Sequence, residues 1–234
     1  MKDHVSRSLA EFKEFLRGYN LREIADDGEF QAELKKVFKR YYPLIVWAEI
    51  VSDVAIWQDV EKRKSFRLYL SEVASDLCFA LFIALQGMYK PSLILLRSGL
   101  ENFFRCILVA HNLAYDSTSV FEVIDLVKTT QLKADGDGSA HIDHLISRYG
   151  ELCAYVHSAD QLHMSLTKVV GVFPRYNKKQ LQVVSSKLRD VCVDICSLLC
   201  LMLPDVYHRM HHSHKDVIMD VVPRGVRQHL SGIK

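Results

Sequence analysis

Gly87-Met88-Tyr89-Lys90-Pro91, set between two apolar stretches of helical period, Phe66 to Gln86 and Ser92 to His111, decides the fold. Glycine tolerates the left-handed backbone at a helix C-terminus, and proline fits a first helical turn, where its missing N–H has no partner to lose. The segment therefore predicts an antiparallel helix hairpin turning near Met88 and Tyr89. Charged residues interrupt the second arm at one-turn spacing. Arg97, Glu101 and Arg105 stand at i, i+4 and i+8 and share one side of the helix. Across the turn, the register sets Glu72 opposite Arg105 and Asp76 opposite Glu101, giving a charged seam beside an apolar one.

Helical periodicity continues outward on both sides. Val5, Leu9, Phe12, Leu16 and Tyr19 predict a first amphipathic helix, finished near Gly18 and Asn20. Phe30, Leu34, Val37, Phe38, Tyr41, Ile45 and Ala48 predict a second, kinked or divided at Pro43. Glu61-Lys62-Arg63-Lys64 reads as a charged hinge. Beyond the hairpin, Ser119 and Glu122 have capping-box spacing for a short helix, and Asp135-Gly136-Asp137-Gly138 reads as a loop. Ile142 to Val156 and Lys178 to Leu203 give two more helices, separated by a break around Gly171-Val172-Phe173-Pro174. No alternating strand pattern competes. The expected fold is all-α, an antiparallel helical bundle with a long central hairpin, divided into an N-terminal extension (1–65), the bundle (66–203) and a basic, His-rich tail (204–234).

A chain of 234 residues, 49% hydrophobic and 25% charged, can bury a sizeable core, and its 10 glycines and 5 prolines are too few for a disordered or fibrous protein. The net charge of +2 is unevenly placed: residues 172–234 hold ten Lys/Arg against five Asp/Glu. All six cysteines lie in apolar helical sequence and read as buried thiols in a reducing compartment. The longest uninterrupted apolar runs, near Leu77 to Leu85 and Ile195 to Leu203, fall far short of the roughly 18 residues a membrane span needs. A cytoplasmic chain with no membrane partner is expected.

Arg105 followed by His111 near the end of the same helix pairs a phosphate-binding cation with a proton carrier active at neutral pH. That pair suits metal-independent RNA cleavage, in which the 2′-hydroxyl attacks the adjacent phosphate. Six residues apart, the two side chains point about 120° from each other on an ideal helix, so one chain holds an incomplete site that a second copy would complete. His157, with Tyr155 nearby, is a further proton donor or phosphate ligand. Structural readings stand beside these: an ion-pair network joining Arg97, Glu101 and Arg105 to Glu72 and Asp76, and a helix-terminal His157 favoured by the helix dipole. The histidines at 208, 211, 212 and 214 read as a solvated basic terminus rather than a metal site, and no metal or cofactor is expected.

An all-α bundle carrying Arg, four to six residues, then His resembles the HEPN superfamily of bacterial toxins and phage-defence proteins, over about residues 66–203. Pro91 to Arg105 and Tyr155-Val156-His157-Ser158 are also similar to HEPN-like bundles of abortive-infection systems. Cys106 departs from the Asn, Asp or His that often follows the arginine there. The resemblance implies a homodimeric, metal-independent ribonuclease acting as a toxin or antiviral effector, with Arg105 and His111 catalytic and a partner protein encoded in the same defence system. The alternative is a noncatalytic HEPN-like module, a sensor, adaptor or subunit, binding a partner protein or nucleotide.

Overall fold

A computed structural model describes residues 2–17, 27–53, 57–157 and 176–232. Among them are eleven helices: α1 (Lys2–Arg17), α2 (Gly28–Asp53), α3 (Val60–Leu85), α4 (Tyr89–Ala110), α5 (Val120–Val127), α6 (Gln131–Ala134), α7 (Gly136–His157), α8 (Lys178–Met202), α9 (Pro204–Arg209), α10 (His212–Met219) and α11 (Arg224–Leu230). The described residues contain no strand, so the protein is an all-α helical bundle.

The α3–α4 hairpin is the most extensive helix pairing. Gly87 takes φ 84°, and the Met88 N–H reaches back to the Ile83 carbonyl at 3.0 Å, the six-to-one bond that closes a helix through a left-handed residue. Pro91 falls in the first turn of α4. The arms approach closely at Gly99, where a Cβ would lie 2.4 Å from a methyl of Leu77. Ser92 donates to the Ala80 carbonyl at 2.6 Å, satisfying a hydroxyl otherwise stranded in the seam.

Glu61-Lys62-Arg63-Lys64 is not a hinge but the first turn of α3, which Asp59 caps by accepting the Lys62 N–H at 3.0 Å. Likewise Gly136, Asp137 and Gly138 begin α7, leaving Asp135 between helices. Pro43 does not divide α2. The buried residues on either side of it, Phe38, Tyr41, Leu44 and Trp47, hold the helix through the missing hydrogen bond. The capping box is half made: Ser119 accepts the Glu122 N–H, while the Glu122 carboxylate accepts from Ser117 at 2.6 Å.

One hydrophobic core runs through the boundaries expected at 65/66 and 203/204. Phe30, Leu34 and Trp47 of α2 and Ile218, Val222, Val226 and Leu230 near the C-terminus are buried in the cluster that holds Phe66, Phe103 and Phe104. Helix α8 lies in its midst, packed against α2, α7 and α4. Its Cys192, Cys196 and Cys200 are buried and free, and burial pushes all three thiols up. Helix α1 rests on the outside, through Leu9 and the stacking of Phe12 on Phe38. By length and composition α3 is one helix long and apolar enough to cross a membrane, although its apolar residues are not contiguous. Phe66, Leu70, Val73, Leu77 and Leu81 are buried within the bundle.

Candidate functional site

The seam on α4 closes upon itself. The Arg97 guanidinium lies 2.8 Å from the Glu101 carboxylate, and the Tyr149 hydroxyl of α7 accepts from Arg97 at 2.9 Å while donating to Glu101 at 3.0 Å. Burial opposes the charge of Arg97, but Tyr149 and Glu101 outweigh it and raise its pKa; burial also pushes the Tyr149 phenol up. Arg105 donates to the backbone carbonyls of Glu101 at 3.3 Å and Ser117 at 2.9 Å, fastening the segment after α4. Asp76 accepts from Asn102 at 3.2 Å rather than facing Glu101, and Glu72 is exposed. The expected Glu72–Arg105 pairing is not among the contacts of the described residues. Arg105 reaches the Ser117 carbonyl instead, where a guanidinium satisfies a backbone acceptor that water would otherwise serve.

His111 ends α4 with its Nε2 buried and unpartnered among the described residues. Burial, and then the nearby Lys62 ammonium, lower its pKa, so the ring is neutral at pH 7. Arg105 and His111 are therefore not brought into one site within a single chain: one is turned to Ser117 and the other inward. Below about pH 6.5 the unfolded chain takes up the histidine proton before the folded chain does, so stability falls with pH across that range. Urea unfolding at pH 7.5 and 5.5 should give a larger loss for the parent than for His111→Asn. Tyr155 is half-buried, with the Lys187 ammonium 5.9 Å from its ring centre. The His157 side chain lies outside the described residues.

A second constellation, absent from the sequence expectations, joins α7 to α8. Asp194 is 5% exposed in the middle of α8. Its Oδ1 lies 2.6 Å from Nδ1 of His141 and its Oδ2 2.6 Å from Nδ1 of His144. A carboxylate can only accept, so Nδ1 of His141, which is hydrogen-bonded to it, carries the proton and leaves Nε2 free, while His144 meets Asp194 in a close contact. His141 is largely covered, with 15% of its side chain exposed, while His144 is 47% exposed. Neither Nε2 has a protein partner among the described residues. Fixing an imidazole through Nδ1 on a buried carboxylate sets its tautomer and ring orientation, the arrangement that readies Nε2 for proton transfer. Among the described residues no three His, Cys, Asp or Glu side chains, this trio included, form a group that could hold a metal ion.

Arg148, one turn beyond His144, extends this polar seam. It donates to Glu151 at 2.7 Å and to Asp190 of α8 at 3.2 Å, and its Nε is buried without a partner among the described residues. The signal in the sequence was Asp194 itself, a carboxylate inside Val191-Cys192-Val193-Asp194-Ile195-Cys196, together with two histidines at i and i+3. At the other histidine cluster, His211 caps α10 by accepting the Ser213 N–H, a structural role. Comparison of the chain with family models, with curated proteins and with solved structures returns no match.

Proposed function

We propose that this protein cleaves RNA without a metal ion, with His141 and His144 as the proton-transferring pair. The observation that carries the reading is the meeting of both rings on one buried carboxylate, His141 hydrogen-bonded to it through Nδ1 and His144 in close contact, with neither Nε2 partnered among the described residues. In the reaction the 2′-oxygen of a ribonucleotide attacks the adjacent phosphorus while a neutral Nε2 takes the hydroxyl proton. The bond from phosphorus to the 5′-oxygen breaks, and the Nε2–H of the other, protonated ring gives its proton to that oxygen. The products are a 2′,3′-cyclic phosphate and a 5′-hydroxyl. Acid–base catalysis of this kind contributes typically 10²–10⁴-fold. The HEPN-like resemblance supplies a setting, a toxin or antiviral-defence effector, and a rival assignment in which Arg105 and His111 of two copies form the site.

The first experiment incubates the purified protein with total cellular RNA in chelator and examines the cleaved ends. Cyclic-phosphate ends from the parent support the reading. An Arg105→Ala/His111→Ala variant should keep the parent rate to within a few-fold, and its loss of cleavage in a folded protein would transfer the site to α4. Intact RNA with the parent would favour a second reading, a noncatalytic module binding a partner protein or nucleotide. The closed Arg97–Tyr149–Glu101 network and the carbonyl-bound Arg105 suit that role, because they are structural in a single chain.

A further inference from the structure

On the side of α8 facing α2 lies a cavity of about 320 Å³, lined by Lys36, Lys39 and Arg40 of α2 and by Arg189, Asp190 and Val193 of α8. Its carboxylates do not match its cations. Glu33 serves both Lys36, at 3.4 Å, and Arg189, at 3.2 Å. The Arg40 guanidinium donates to the neutral carbonyls of Asp220 and Val221 at 3.2 and 3.3 Å, leaving its charge unbalanced there. Asp190 is engaged from the far side by Arg148. Lys39 meets Asp220 at 3.5 Å, and both Lys36 and Lys39 are half or more exposed, so their ammonium groups can turn to a ligand at small cost.

Asp190 belongs to two seams at once, forming a wall of this cavity and an ion pair on the α7 side. It stands one helical turn, about 6 Å along the axis, from Asp194 and its two histidines. A strand crossing α8 beside Asp190, with one phosphodiester at the imidazole pair, would carry a further phosphate toward the cationic cavity. Lysine and arginine bind such a group through charge and N–H donors, releasing the counterions it carried.

We infer that the cavity between α2 and α8 is a phosphate subsite for single-stranded RNA, positioning the strand for the imidazole pair. Lys36 and Lys39 are positioning residues, acting on the strand rather than on the reacting atoms. The inference rests on the proposed RNA chemistry for its ligand, but its test does not depend on turnover.

The test measures affinity of the full chain for a short oligouridylate bearing 2′-O-methyl groups, which cannot be cleaved. Lys36→Ala/Lys39→Ala should weaken binding about tenfold and reduce the slope of log affinity on log salt by roughly 1.4, the effect of two lost contacts to a single strand. With cleavable RNA the same variant should raise KM by a similar factor and leave kcat within twofold. Unchanged affinity in the double variant would overturn the subsite. So would inorganic phosphate or uridine monophosphate competing as strongly as the oligomer, since a small-anion site needs no strand. If the methylated strand binds through Lys36 and Lys39 but unmodified RNA stays intact, the subsite stands and the cleavage reading fails.

Discussion

His144→Asn should lower RNA cleavage about 100-fold or more while leaving the protein folded and its melting temperature little changed. Asparagine places an amide N–H near the position of the ring Nδ1, which lies 2.6 Å from Asp194, so the contact survives; what disappears is Nε2 and its capacity to move a proton. A purely structural histidine would tolerate the exchange. His141→Asn should behave alike, and Asp194→Asn should also be slow, because its carboxamide can donate to a ring Nδ1 and force the proton onto Nε2. The measurement is the initial rate on a short fluorogenic oligoribonucleotide in chelator, beside a thermal melt followed by circular dichroism. Parent-like rates in both histidine variants would sink the imidazole assignment.

Gly138→Ala should cost about 2 kcal/mol, in the range found when atoms are forced into packed space. A Cβ there would lie 2.2 Å from the Leu132 carbonyl oxygen, a backbone atom of α6 that cannot rotate aside, with the Leu132 side chain 3.0–3.1 Å away. Relief requires α6 to part from the first turn of α7. For a chain of this length that loss corresponds to a fall in melting temperature of roughly 4–8 °C. His141 follows by three residues and His144 by six, so cleavage should fall as well. Gly136→Ala is the control: nothing lies within 4 Å of its Cβ position, and its melting temperature should match or slightly exceed that of the parent. Equal melting temperatures for the two variants would show that α6 yields freely.

The hairpin was legible because Gly87 and Pro91 act through their own backbones, and their effect does not depend on what packs around them. Register across the hairpin was also readable to within about one turn: Asp76 meets Asn102, next to the expected Glu101. Side-chain direction was not. Arg105 is long enough to choose among acceptors, and the winning one, the Ser117 carbonyl, belongs to a connection whose path the sequence leaves open. Helix α2 and the C-terminal helices read as appendages because their apolar residues alternate with many charged ones. The structure buries one face of each in the common core and leaves the charged faces outside. The Asp194 site stayed hidden for a different reason. Its histidines lie about fifty residues from their carboxylate, and the same stretch of α8 draws the eye to its cysteines.

Those cysteines give the bundle a built-in reporter. Thiol reagents attack the thiolate, and Cys192, Cys196 and Cys200 are sealed from solvent in a setting that disfavours that form. Since α8 touches α2, α4 and α7, no local fraying at the periphery uncovers them. Alkylation at these three positions thus keeps time with the opening of the whole core, whereas the half-buried Cys78 and Cys153 register smaller excursions of the surface.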